Sequence, residues 1–571
     1  MTINLKTTPF SFKGSYLVIS EVGKNWCGCI NEPGLYLRTV HGSASMPLIA
    51  RISIESKGES ADYVPELKGA ALALKCGKGK VEFCFDDPGT LLVRGGAGLE
   101  VTLDFMSDRG AFNYIYRFSR DGRDFEMANC FKNNCRCLMH VQKGTAALDQ
   151  VWKEKGAVRT RLTLSGRDGF MLVLKEITTE WDGRWKEFDF RESASRAAEN
   201  LAAFAGRMPS CPAKYKKTAE KAAYLLWASI VNKNGLLSRD AMMMSKNWMK
   251  NVWSWDHCFN AIALSYGAPQ LAWDQFMLVF DRQDPTGLLP DSINDANMVW
   301  NFCKPPIHGW ALRWMMKNMT LSDAQLKEAY ARLSKWTKWW LEYRDYDGDG
   351  LCEYNHGNDS GWDNSTAFSV VPPIATPELQ AFLVIQMDVL ADLAGRLGKE
   401  KARAKWLKRS NGLLDRMLKN LFIDGLPTAV RSGSREIVPN RSLLPYVCIV
   451  LGERLPEDKR RRMIEVLSGN TFRGEHGFST EAFKSPDYLS DGYWRGPIWA
   501  PSTMLITDGL FRCGETELAR DTARRFADMV STSGFAENFD AVTGAGLRDR
   551  AYTWTASAFL AMTNEYLLKN S

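Results

Sequence analysis

Asn251-Val-Trp-Ser-Trp-Asp-His-Cys-Phe259 sets two indoles, Trp253 and Trp255, beside the carboxylate of Asp256. A flat ring can stack on the C–H face of a sugar, and a carboxylate can accept from two neighbouring hydroxyls. The plainer alternative is a helix start, with Asp256 as a first-turn acid and the tryptophans as core. Gly357-Asn-Asp-Ser-Gly-Trp-Asp-Asn-Ser365 places Asp359 and Asp363 around Trp362. A carboxyl beside an indole and away from water favours its neutral form, which is the state a general acid needs. A polar turn with backbone bonds would read the same way. Asp491-Gly-Tyr-Trp-Arg-Gly-Pro-Ile-Trp499 gathers Tyr493, Trp494, Arg495 and Trp499 into a polar-tipped aromatic surface. Its alternative is a helix opened by Pro497 with the rings packed beneath.

A fourth loop, Phe535-Ala-Glu-Asn-Phe-Asp-Ala-Val-Thr-Gly544, carries Glu537 just before a turn. Alone it reads as a solvated acid. Paired with an acid from the second loop, it could activate water while the other carboxyl protonates a leaving oxygen. Such a pair inverts an anomeric centre at about 6.5–9.5 Å separation and retains it at about 5–5.5 Å.

The elements that must position these loops change character along the chain. Residues 1–195 read as short β-branched and aromatic runs between Gly and Asp turns, among them 16–20, 34–40, 70–75, 80–85, 90–94, 99–105, 112–118 and 170–174. Their alternation predicts an antiparallel β-sandwich. Residues 196–213 form a helical linker closed by Pro209 and Pro212. From 214 to 571 helical periodicity dominates, with about a dozen helices of roughly 30 residues each including loops. That count and alternation predict an (α/α)6 barrel, so the expected fold is α+β and multidomain.

The ordered strings WSWDHCF (253–259), GLLPDSIND (287–295), KPPIHGWAL (304–312), NDSGWDNS (358–365), GYWRGPIW (492–499) and FAENFDAVTG (535–544) resemble glycoside hydrolase family 63. They are also similar to its relatives, the family 37 trehalases and the mannosylglycerate and glucosylglycerate hydrolases. The resemblance implies an inverting, exo-acting α-glycosidase with Asp363 as general acid and Glu537 as general base. It implies a sugar site drawn from Trp253, Trp255, Asp256, Tyr493, Trp494 and Arg495, with Trp362 and Trp499 beside them. Because the β-rich part is sizeable, the expectation tilts to an α-glucosidase acting on a small α-glucoside or oligosaccharide. A glycerate-glycoside hydrolase, an inverting phosphorylase and a non-catalytic carbohydrate-binding protein are the alternatives.

Asp345-Tyr-Asp-Gly-Asp-Gly-Leu-Cys-Glu353 spaces Asp345, Asp347 and Asp349 like the start of a calcium loop, with Gly350 next. His356 stands where an EF-hand has its bidentate Glu, so this is not an EF-hand; Glu353 could add an oxygen. The loop is similar to one that binds calcium near the barrel in some family 63 enzymes, which implies a structural Ca²⁺. No cofactor is expected for the chemistry.

The 571 residues include 20 Trp and carry a net charge of only +7. Without a Lys/Arg block, a nucleic-acid partner is not expected. No apolar run of membrane-spanning length and no signal-peptide core occurs, and the cysteines have no zinc-knuckle or disulfide-framework spacing, so a cytoplasmic protein with reduced thiols is expected. HExxH and P-loop signatures are absent. The expected partner is a small carbohydrate.

Overall fold

The computed structural model describes residues 3–106 and 112–569. It divides into two compact units: Met1–Gly206 with Tyr224–Lys250 and Asn294–Asn297, and Arg207–Ala223 with Asn251–Ile293 and Met298–Ser571.

The first unit holds two antiparallel sheets. One runs in the order Leu17–Val22, Gly34–Thr39, Leu48–Ser56, Leu99–Phe105, Gly156–Ser165, Thr145–Lys153, with Glu59–Ser60 hydrogen-bonded to the third strand. The other runs Tyr114–Arg120, Arg123–Cys130, Cys135–Lys143, Phe170–Ile177, Thr90–Gly95, Gly79–Asp87, Ala71–Cys76, Val64–Lys68. Leu99, Val101, Leu103 and Phe105 alternate inward along one strand, as a half-buried strand requires. Helix α1 (Phe190–Ala205) also belongs here. Asp189 caps it, its side chain accepting from the amides of Arg191 and Glu192. The sequence places a helical linker from residue 196; the Asp189 cap starts the helix earlier, at Phe190.

Buried polar groups tie the outlying segments into this unit. Lys246 is fully enclosed, and its ammonium donates to Ser11 Oγ at 3.1 Å and to the carbonyls of Ser15 and Ile230 at 2.6 and 3.1 Å. His41 Nδ1 meets Asp295 Oδ2 at 2.7 Å, and its ring stacks on Tyr16 at 3.9 Å. These partners raise the His41 pKa to about 9, although burial works against it.

Helix α2 (Lys216–Ser229) is divided between the units. The second unit contains α3 (Asp256–Leu264), α4 (Pro269–Met277), α5 (His308–Asn318), α6 (Asp323–Tyr343), α7 (Pro377–Arg396), α8 (Glu400–Asn420), α9 (Glu457–Ser468), α10 (Ala500–Arg512), α11 (Thr516–Ser533) and α12 (Thr553–Leu567). A tighter 3-10 stretch, Leu444–Arg454, stands where periodicity predicts an α-helix, and it bends at Gly452. Prolines open α4, α7 and α10 where an amide would have no partner anyway. A reciprocal Ser322–Gln325 capping box opens α6.

Helices α3, α5, α7, the Leu444–Arg454 stretch, α10 and α12 touch one another in that order, and α12 returns to α3. Every residue of α3 is buried. The alternate helices α6, α8, α9 and α11 bury one stripe and expose the other, so sequence amphipathicity separates two classes of helix. Among the described residues, no helix is long and apolar enough to cross a membrane.

Candidate active site

The candidate residues cluster along the chain at or before the N-terminal ends of the helices of this circuit. Asp256 is the first residue of α3, Lys304 lies four residues before α5, and Asp363 lies in the segment leading to α7. Tyr493–Trp499 leads into α10, and Glu537 precedes α12. Short three-stranded ladders hold these segments. One joins Val252–Trp253, Ser292–Ile293 and Met298–Val299. Another pairs Ile498 with Phe539 and Trp499 with Asn538, which fixes the third loop against the fourth.

The second and third loops are joined by one side chain. Asn364 Nδ2 donates to the Gly492 carbonyl at 3.0 Å, and Asn364 Oδ1 accepts from the Trp494 amide at 2.9 Å. The first and second loops meet at Gly361, where φ is +76° and a Cβ would lie 2.5 Å from the Trp255 ring. Only glycine combines that backbone with that approach.

Burial pushes up the pKa of both proposed reacting carboxyls. For Asp363 burial is the largest cause, Lys304 opposes it, and Asp291 adds to it. For Glu537 burial, with the neighbouring Asp549 carboxylate adding to it, raises the value to about 7; Arg548 works against this. The Tyr493 hydroxyl interacts with both carboxyls, lowering each pKa as a donor does. Tyr493 itself holds a left-handed backbone, φ 65°, a strained state for a bulky residue. The Arg548 guanidinium lies 4.9 Å from its ring centroid and pairs with Asp491 at 2.8 Å. Asp256 is fully buried and its pKa is pushed well up, again by burial, despite its place in a helix first turn. The Tyr552 hydroxyl faces it at 3.4 Å.

Asp359 has a different task. It accepts from Arg344 at 2.8 Å, from the Cys303 amide at 3.1 Å and from the Asn355 amide at 3.0 Å. It shapes the loop that presents Asp363.

The aromatic residues sort into two sets. Trp255, Trp362, Trp494 and Trp499 are buried. Trp362 stacks on Trp494 at 4.7 Å, Trp494 stacks on Trp499 at 3.9 Å, and Trp554 meets Trp499 edge-on at 5.6 Å. They form a packed wall instead of the open ring surface the sequence suggests. Trp253, Tyr493 and Arg495 retain part of their surface. The Arg495 charge acts on Glu481, and its Nε is buried without a hydrogen-bond partner among the described residues.

Sequence reasoning passed over Asp291, Lys304, Arg548, Asp549 and Tyr552. Lys304 bridges Asp291 at 3.0 Å and the Asn358 carbonyl at 2.8 Å, and its charge also reaches Asp256 and Asp363. Both Asp291 and Lys304 lie within the strings that carry the family resemblance. Nothing local distinguishes a lysine ahead of two prolines, so only their convergence in space identifies them.

In the acidic loop, Asp345, Asp347 and Glu353 each present an oxygen within 4.8 Å of the others, and Asp345 Oδ1 is buried with no hydrogen-bond partner among the described residues. Three clustered carboxylate oxygens fit a hard cation. Asp349 stands outside the group: its oxygens accept from the Leu351 amide at 2.8 Å and from Arg435 at 3.3 Å.

Residues 249–555 match the model of the mannosylglycerate hydrolase MGH1-like glycoside hydrolase domain. A mannosylglycerate hydrolase of Rubrobacter radiotolerans is 23% identical over 435 residues, covering 58% of this chain and 97% of that protein. A glucosylglycerate hydrolase of Mycolicibacterium hassiacum is 22% identical, covering 60% and 96%. Among solved structures, the family 63 mannosylglycerate hydrolase of Thermus thermophilus in complex with Tris and D-glycerate aligns with TM-score 0.52 at 18% identity, over 60% of this chain and 98% of that one. A bacterial glucoamylase complexed with acarbose aligns with TM-score 0.61 at 11% identity, over 99% and 94%. With the family model matching more than half of its length, this chain belongs to the MGH1-like mannosylglycerate hydrolase domain family, related to glycoside hydrolase family 63, and is a glycoside hydrolase.

Proposed function

We propose that this enzyme is an inverting, exo-acting α-glycosidase whose substrate is a small α-glycoside of the mannosylglycerate or glucosylglycerate type. The observation that carries the reading is the convergence of Asp363 and Glu537 on one tyrosine hydroxyl, both desolvated. Asp363 gives its proton to the glycosidic oxygen as the bond to the anomeric carbon breaks. Glu537 takes a proton from a water whose oxygen attacks the opposite face of that carbon. Asp256, Asp291 and Lys304 are the groups suited to the sugar hydroxyls, and Trp253 is the ring suited to its C–H face. We propose further that the contact circuit of buried helices closes an (α/α)6 barrel, a fold the likeness to the glucoamylase supports. Ca²⁺, if bound, would be held by Asp345, Asp347 and Glu353, where it would stiffen the stretch leading to Asp363.

The sequence tilt toward a disaccharide α-glucosidase rests on the β-rich part, which contributes none of the site residues above. The named relatives fit the glycerate glycosides better. The test is hydrolysis of mannosylglycerate, glucosylglycerate, trehalose, kojibiose, nigerose, maltose and isomaltose by the wild type, Asp363→Asn and Glu537→Gln. A glycerate glycoside should give the highest kcat/KM, and each variant should lose about 10²–10⁴-fold. A preference for maltose would overturn the substrate assignment, and full activity in either variant would remove that residue from the mechanism.

A further inference from the structure

A second chemical cluster adjoins Asp256 along the chain and takes no part in the reaction described. His257, Cys258 and His308 are fully buried, and each offers a ligand atom within 4.8 Å of the others. His257 Nδ1 lies 3.0 Å from the Trp253 carbonyl, and in the tautomer that donates to this carbonyl Nε2 carries the lone pair. That is how a metal-bound imidazole is commonly oriented. The Phe276 carbonyl also faces this ring. His257 Nε2 lies 3.8 Å from Cys258 Sγ. Two such ligands on a tetrahedral zinc ion would be about 3.6 Å apart.

His308 supplies the independent observation. Among the described residues neither of its ring nitrogens finds a hydrogen-bond partner, although the residue has no exposed surface. The Ser254 carbonyl faces the ring without closing a bond. Phe280 and Trp336 meet it edge-on at 5.2 and 6.2 Å; the Trp336 indole N–H is buried nearby and is likewise without a hydrogen-bond partner among the described residues, so it does not satisfy the imidazole. A buried imidazole left in this state loses its hydration with no return.

We propose that His257, Cys258 and His308 form a zinc site that ties the start of α3 to the start of α5. Binding would form bonds from Zn²⁺ to His257 Nε2, to one His308 nitrogen and to Cys258 Sγ. The thiol proton would pass to solvent, and a water would complete the tetrahedron. The two helix starts joined in this way carry Asp256 and follow Lys304, so the ion would hold both in register.

The test uses the full chain, measuring bound zinc by mass spectrometry and titrating the metal-free protein with Co²⁺. About one zinc per chain and a thiolate-to-cobalt charge-transfer band in the near ultraviolet are expected. Cys258→Ser should abolish the band, and Cys258→Ser and His308→Gln should each weaken metal affinity by at least about 100-fold. No uptake and no band in the wild type, or undiminished uptake in both variants, would overturn the proposal. Should the variants fail to fold, the wild-type cobalt spectrum decides.

Discussion

Glu537 concentrates the trade between stability and reactivity in one side chain. Its pKa rises from 4.5 to about 7 because burial, reinforced by Asp549, opposes the charge. Below pH 4.5 the carboxyl is protonated in the folded and unfolded chain alike, and it contributes nothing. Between 4.5 and about 7 the unfolded chain ionises first, so stability falls as pH rises. Above about 7 the loss is complete, on the order of 3 kcal/mol. Glu537→Gln should therefore unfold at higher temperature than the wild type at about pH 8 and at the same temperature at about pH 4, as read by thermal melts. Activity should show the opposite trend, kcat/KM rising with pH through about 7 as the base loses its proton. A melting difference that grows toward acid would contradict this reading. At this scale the sequence carried Asp363, Glu537 and Asp256 in their strings. It carried Lys304 in a string too but not its role, because the influence of Lys304 on Asp256, Asp291 and Asp363 depends on neighbours distant along the chain.

Asn364 does for the loops what a cap does for a helix. Its carboxamide joins the main chain of Gly492 and Trp494, and so fixes the segment of Asp363 against that of Tyr493. Each bond contributes about 1 kcal/mol. Asn364→Ala should lower the melting temperature only slightly, while kcat falls about 10²-fold because the acid is no longer held in position. Unchanged kcat would show that the ladders alone fix the loops. Gly361→Ala should be far more disruptive, since it combines an unfavourable backbone with a 2.5 Å contact to Trp255. Helix positions were readable because buried and amphipathic segments alternate between turn residues. The Leu444–Arg454 stretch reads the same way yet tightens to 3-10 geometry, a difference periodicity does not encode. The buried stack of Trp362, Trp494 and Trp499 was equally hidden, because a tryptophan in a polar loop gives no sign of which face packs.

At the scale of the whole molecule, a composition change near residue 195 marks where strands give way to helices. The first compact unit nevertheless includes Tyr224–Lys250 and Asn294–Asn297. These segments are held by groups no local pattern reveals, Lys246 on Ser11, Ser15 and Ile230, and Asp295 on His41. A chain beginning at residue 214 would keep Lys246 and lose most of its acceptors. Leaving a buried ammonium unpartnered is strongly destabilising. That truncated chain should be insoluble or unfolded by circular dichroism, although it contains the whole family match; a stable, active fragment would show that Tyr224–Lys250 does not depend on the strands.

The central claim is that Asp363 and Glu537 act on opposite faces of one anomeric carbon, and proton NMR of the first sugar released reads it directly. From mannosylglycerate or glucosylglycerate the β-anomer should appear first and the α-anomer only later, by mutarotation. If the α-anomer appears first, the pair does not invert the substrate and the account of the site is wrong.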